Sequence, residues 1–239
     1  MALAILQARM SSTRLPGKVL RPILGEPMLG RQIERLRRSR HLTRLVVATS
    51  TGTQDDAIAA YCAESRVDCF RGDLNDVLSR YLGALDAFGP VETFLRLTAD
   101  CPLTDPVLID EAIAAHRRTG ADYTHVQQRW TYPKGLDVEV CQTETLRRVG
   151  REATGSDREH VTAFIYARPE RFRITALNRD PPLRYRWTVD TLEDFAFVAA
   201  VYEDLYPANP AFTTGDVLAW QRHNPHRVLI NEVFAGTAA

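Results

Sequence analysis

Lysine is almost missing from this sequence. Of the 30 basic side chains only two, Lys18 and Lys134, are lysines, and the other 28 are arginines. Where a chain drifts to arginine wherever either cation serves, a surviving lysine marks a place that prefers a compact ammonium to a planar fork. Chance survival stays open for Lys134 and less so for Lys18, whose neighbours are themselves charged. Net charge is missing too. Thirty acidic side chains balance the 30 basic ones, which excludes a general basic attraction to nucleic acid and leaves room for a local basic pocket. Long apolar runs are absent: Phe195 to Tyr202 is far short of the roughly 20 residues that cross a bilayer. The N-terminus meets Arg9 at once and has no basic flank, so no signal peptide is expected. Cys62, Cys69, Cys101 and Cys141 form no C-x-x-C pair, as suits reduced thiols. With only 8% aromatic residues, Trp130, Tyr132, Trp187 and Trp220 are expected to pack a core or pocket, not to form a base-stacking platform. These absences predict a soluble cytoplasmic protein with no nucleic-acid or membrane partner.

What is present is an ordinary globular balance, 45% hydrophobic and 25% charged, over 239 residues. No repeat or Gly/Ser-rich linker divides the chain. A single domain over 1–239 is expected, with a helical extension and tail over about 205–239. Short apolar runs at Ala2 to Leu6, Leu45 to Ala48 and Phe94 to Leu97 read as buried strands, with weaker ones at Arg173 to Leu177 and Arg186 to Val189. Between them Leu29, Ile33 and Leu36, then Val77, Leu78, Tyr81, Leu82 and Leu85, follow a helical period. Asp105-Pro106 places a cap before a proline at the first helical position. Ser156 and Glu159 have capping-box spacing ahead of a helix carrying Val161, Phe164 and Ile165. Thr191 opens another helix, with Glu193 and Asp194 near its positive end. Strand alternating with helix predicts an α/β chain with a largely parallel sheet and helices on both faces. Ligands of such folds sit beyond the carboxyl ends of the strands.

Directly after the first strand comes QARMSSTRLPGKVL, Gln7 to Leu20. Its small residues let backbone amides approach an anion, and Arg9, Arg14 and Lys18 supply neutralising charge. Three converging cations plus a metal ion would complement the roughly four negative charges of a triphosphate. The segment is neither a Walker loop nor a dinucleotide fingerprint. From composition alone a solvated basic turn is the competing reading.

That run resembles the N-terminal signature of the cytidylyltransferases that activate acidic sugars, the CMP-Kdo synthetase and acylneuraminate cytidylyltransferase group, and most of all the spore coat polysaccharide biosynthesis protein F branch. Further blocks agree: VVATS (Val46 to Ser50), FRGDLND (Phe70 to Asp76), RLTADCPL (Arg96 to Leu103), TYPKGLDVEV (Thr131 to Val140), DREHVT (Asp157 to Thr162) and RWTVDTLEDF (Arg186 to Phe195). The resemblance implies a Rossmann-like three-layer α/β/α nucleotidyltransferase fold with a mostly parallel, mixed sheet. It also implies a Mg²⁺-CTP substrate and a homodimer. Nucleotide contacts then fall to Gln7, Ala8, Arg9, Ser11, Ser12, Arg14, Lys18, Arg71, Arg96 and Thr98.

Asp100 follows a strand and precedes Pro102, which keeps the backbone extended. Asp190 follows the Arg186 to Val189 segment, and Thr191 is free to cap the helix in its place. By resemblance these are the two metal-binding aspartates, and two carboxylates plus phosphate oxygens and waters suit Mg²⁺. Ala99 stands where the sugar-acid enzymes often have glycine. Arg14, Lys18, Asp100 and Asp190 are therefore the expected catalytic set. Tyr132, Lys134, Arg158, His160 and Arg186 lie in matching blocks, and their cationic excess points to an acidic acceptor. Asp137 and Glu139 alternate with apolar neighbours as in a half-buried strand, while Asp73 and Asp76 suit caps of the next helix. The expected reaction transfers CMP from CTP to an acidic sugar or related anion and releases pyrophosphate. Another NTP, a phosphonate acceptor, a glycosyltransferase and a silent nucleotide-binding subunit remain alternatives. A glycosyltransferase would normally carry an Asp-x-Asp motif, and Thr98-Ala99-Asp100 offers one aspartate.

Overall fold

The structure, a computed structural model, describes residues 2–126 and 131–227. Trp130 and the last part of the expected tail lie outside these described residues.

The apolar run at the N-terminus forms β1 (Ala2–Gln7), buried on both faces as central strands of parallel sheets are. A small hairpin, β2 (Pro22–Ile23) and β3 (Glu26–Pro27), leads into α1 (Met28–Leu36). There follow β4 (Leu42–Ser50), α2 (Asp56–Glu64), β5 (Asp68–Gly72), α3 (Val77–Phe88), β6 (Thr93–Thr98) and α4 (Pro106–Thr119). The second half holds β7 (Tyr123–His125), β8 (Glu139–Gln142), α5 (Thr143–Glu152), α6 (Ser156–Glu159), α7 (Ala163–Tyr166), β9 (Ile174–Ala176), α8 (Leu192–Leu205) and α9 (Thr214–His223). The sheet order is β5-β4-β1-β6-β8-β7-β9. Strands β5, β4, β1 and β6 run parallel, and β8 pairs antiparallel with both β6 and β7, so the sheet is mixed.

Alternate residues of the strands feed two separate cores. Ala4, Leu6, Val47, Leu95 and Leu97 pack with α1, α4, α8 and α9 through Leu29, Ile33, Ile109, Phe197 and Trp220. Leu3, Ile5, Val46 and Phe94 face Leu78, Tyr81, Leu146, Phe164 and Ile165 of α3, α5 and α7. Three layers result, and the period-2 split of each strand is their cause. Trp187 is fully buried, with its indole N–H donating to Gln221, and Trp220 packs edge-on against Phe197, so both tryptophans serve the core. No helix among the described residues is long and apolar enough to cross a membrane.

Three local expectations need correction. Arg186 to Val189 is not a strand: its backbone bonds go to two different partners, Trp187 N–H to the Lys134 carbonyl at 2.6 Å and Val189 N–H to the Asp100 carbonyl at 2.8 Å. Among the described residues the segment makes one bridge, Lys134 with Arg186. The capping box at Ser156 does not form either, because Gly155 occupies the cap position at φ 56° and no side chain bonds there. Val161, at φ 52°, then breaks the expected helix into α6 and α7, an unusual backbone for a β-branched residue. Finally, Asp137 precedes β8 instead of lying in it, because its carboxylate accepts the Gly135 N–H at 2.8 Å and closes a turn. The caps at Asp105, Asp76 and Thr191 form as the sequence indicates.

Candidate active site

The carboxyl ends of β1 and β6 open into a cavity of about 240 Å³. Its walls include Gln7 at the end of β1, Ala8, Arg9, Ser12, Arg14 and Lys18 from the loop after it, Thr98 and Asp100 from the end of β6, and Asp190. The loop is closed on itself: Gly17 takes φ 71°, a conformation glycine adopts without cost, and donates its N–H to the Met10 carbonyl at 2.9 Å. This turn sends Lys18 inward, where only 7% of its surface stays exposed.

Lys18 joins the two aspartates. Its ammonium donates to Asp190 Oδ1 at 3.1 Å and to the Val189 carbonyl at 2.5 Å, and it lies 3.5 Å from Asp100 Oδ2. The backbone makes the meeting possible, since the Asp100 carbonyl accepts both the Val189 N–H and the Thr188 hydroxyl. On the other side, Thr98 donates its hydroxyl to Asp100 Oδ1 at 2.6 Å. Asp190 is also held by Arg14 at 3.0 Å and by Arg186 at 2.9 Å. Burial alone would push the Asp190 carboxyl up, but Lys18, Arg14 and Arg186 bring it below the usual carboxylate range.

Arg186, expected on the acceptor, is engaged with two carboxylates of the protein itself. It grips both oxygens of Asp194 at 2.9 Å and reaches back to Asp190. Asp194 in turn accepts the N–H groups of Asp190 and Thr191 at 3.0 Å, so Arg186 and Asp194 together aim Asp190. The sequence signal was the four-residue spacing of Arg186, Asp190 and Asp194, which by itself does not show that the three side chains meet. Arg158 is likewise engaged elsewhere: it clamps Asp76, the cap of α3, at 2.7 Å, and donates toward the Gly150 and Ala153 carbonyls. Arg71 braces the turn after β4 through the Ser50 and Gly52 carbonyls, and Arg96 pairs with Glu139 at 2.5 Å across β6 and β8. Neither lines the cavity, and nor does Ser11. His160 is exposed at the end of α6, while Tyr132 and Lys134 are half-buried in the strip that bridges to Arg186.

Asp137, expected on a half-buried strand, is half-buried in the turn ahead of β8. It sits beside Cys101, and burial first, with the Asp100 and Glu139 charges adding, pushes its carboxyl up to about 6.

Two carboxylates that share one ammonium can also face one divalent ion, and aspartate oxygens suit a hard cation. Among the described residues no group of three or more His, Cys, Asp or Glu gathers around one point. Asp100 and Asp190 are the pair that could hold such an ion, with phosphate oxygens and water completing its shell.

Comparison with known proteins decides the family. The cytidylyltransferase family profile matches residues 3–204. The chain belongs to the cytidylyltransferase family. It is 35% identical over 232 residues to the spore coat polysaccharide biosynthesis protein SpsF of Bacillus subtilis, covering 93% of this chain and 95% of that one. It is 36% identical over 196 residues to a 3-deoxy-manno-octulosonate cytidylyltransferase of Mesorhizobium japonicum, covering 75% and 80%. The solved structure of a cytidylyltransferase from Leptospira borgpetersenii superposes with a TM-score of 0.89 at 27% identity, covering 95% of this chain and 97% of that one. The nucleotidyltransferase fold and the transferase class of this cytidylyltransferase family member follow from these matches.

Proposed function

We propose that the chain transfers CMP from CTP to an acidic sugar or related anionic acceptor, with Mg²⁺ bound and pyrophosphate released, in surface polysaccharide or related biosynthesis. The observation that carries this reading is the convergence of Asp100 and Asp190 on Lys18 inside the cavity formed by the loop after β1. The name of the Mesorhizobium japonicum relative supports the cytosine nucleotide and the acidic-sugar acceptor, and that of SpsF supports a place in polysaccharide biosynthesis.

Asp100 and Asp190 would hold the Mg²⁺, which when bound supplies positive charge to the phosphate oxygens. Arg9 and Arg14, with the loop amides, bind the β- and γ-phosphates and stabilise the leaving pyrophosphate. Lys18 fixes the two carboxylates relative to each other, and Arg186 with Asp194 fixes Asp190. Acceptor contacts fall to Tyr132, Lys134 and His160, a role that rests on the family resemblance alone. Catalysis then comes from positioning and electrostatics, with no covalent intermediate on the protein. A homodimer in the cytoplasm completes the proposal, resting on the family resemblance; light scattering reads the subunit count.

The test incubates the protein with each of the four NTPs, Mg²⁺, pyrophosphatase and 3-deoxy-manno-octulosonate or 2-hydroxyethylphosphonate. Phosphate release with CTP and the sugar acid is the expected result. Release only with a different NTP would overturn the donor, and release only with the phosphonate would overturn the acceptor.

A further inference from the structure

We propose that Asp55 is a positioning residue of the nucleotide site, a latch beneath the loop after β1 that fixes where its amides and cations point; this rests on reading the cavity as a CTP site. Asp55 closes the short turn Thr53–Asp55 after β4 and is 1% exposed. Its Oδ1 accepts the Met10 N–H at 2.7 Å, across 45 positions of sequence. Its Oδ2 accepts both the N–H of Ser50, at 3.0 Å, and the Ser50 hydroxyl, at 2.5 Å. Burial pushes this carboxyl up, yet the donors from Met10 and Ser50 outweigh it and hold the group below its ordinary range.

Met10 is the fixed point of the loop. Its N–H goes to Asp55, and its carbonyl accepts the Gly17 N–H at 2.9 Å. Neither group is left for a ligand, so the segment between them, which carries Arg14 and leads to Lys18, is anchored at both ends. Arg71 supports the latch from behind by holding the Ser50 and Gly52 carbonyls at 2.9 and 3.1 Å. A bare carboxylate this close to a phosphate site would repel the ligand. One whose oxygens are filled by loop and strand donors instead converts its charge into loop geometry, which is how fixed dipoles become useful to a developing anion.

The latch acts on phosphates, so its loss must scale with their number. Calorimetry on the full chain with CTP and with CMP reads this directly. Asp55→Asn keeps the shape but turns an NH₂ toward one of its N–H partners. We expect its CTP dissociation constant to rise about 10- to 100-fold, as for a misplaced binding group, and its CMP constant by less than about threefold. Ser50→Ala, a milder change, should move the same way by about three- to tenfold. Equal weakening of CTP and CMP, or unchanged CTP affinity in both variants, would overturn the latch. Failure of the wild-type chain to bind CTP would instead overturn the reading of the cavity.

Discussion

The Lys18 ammonium meets the Asp190 carboxylate at 3.1 Å although 172 positions separate them. The same ammonium donates to the Val189 carbonyl and lies 3.5 Å from Asp100, in a slot with 7% exposure. A slot bounded by three oxygens at these distances fits a point charge with three donors and has no room for a planar fork. This accounts for a lysine surviving in a chain otherwise given over to arginine. Lys18→Arg should keep its charge and still lose pyrophosphate release about 100-fold or more, with a melting curve that stays cooperative. Release within threefold of wild type would show that charge alone is required there.

Asp100 and Asp190 act as one unit if they hold one ion. Asp100→Asn and Asp190→Asn should each lower kcat roughly 10²- to 10³-fold. The double variant should be little worse than the poorer single one, because members of a unit are strongly non-additive. Chelation with EDTA should stop the wild-type reaction, and added Mg²⁺ should restore it. A double variant whose losses multiply would place the two carboxylates in separate tasks.

Arg158 separates a binding role from a packing one. Its guanidinium joins α6 to the Asp76 cap of α3 and to carbonyls at the end of α5. Arg158→Ala should therefore cost about 1–3 kcal/mol of stability in urea unfolding, with CTP affinity and the acceptor KM unchanged. A raised acceptor KM at unaltered stability would return Arg158 to the substrate side.

The strands around the site were legible because burial on both faces leaves unbroken apolar runs, as in Ala2 to Leu6. The loop after β1 was legible because Pro16-Gly17 and three cations are packed into a dozen residues. Roles that depend on a partner distant in sequence were not legible. Nothing near Arg158 names Asp76, and nothing near Asp55 names Met10. Arg186 was assigned to the acceptor through its family block, and nothing in the sequence showed that its guanidinium pairs with Asp190 and Asp194. Asp137 differs because alternation with Leu136 and Val138 suggested a half-buried strand, whereas its carboxylate accepts the Gly135 N–H and closes a turn ahead of β8, half-buried beside Cys101.

That burial sets a pH dependence whose sign runs against the usual one for a carboxylate. The Asp137 carboxyl is raised to about 6 by burial and by its acidic neighbours. Between the unfolded value near 4 and this folded value, the native state binds more protons than the unfolded chain. Its contribution to stability is thus fully present below about pH 4 and is lost as pH rises through about 6. Asp190 runs the other way: held low by Lys18, Arg14 and Arg186 against its burial, it stabilises above the unfolded carboxylate value and fails as acid protonates it. Asp137→Asn keeps an oxygen for the Gly135 N–H and removes the charge. It should raise stability at pH 8 by on the order of 2–3 kcal/mol and change it little at pH 4. Urea unfolding of both proteins at the two pH values reads the difference, and an equal shift at both would mean that shape rather than charge governs the position.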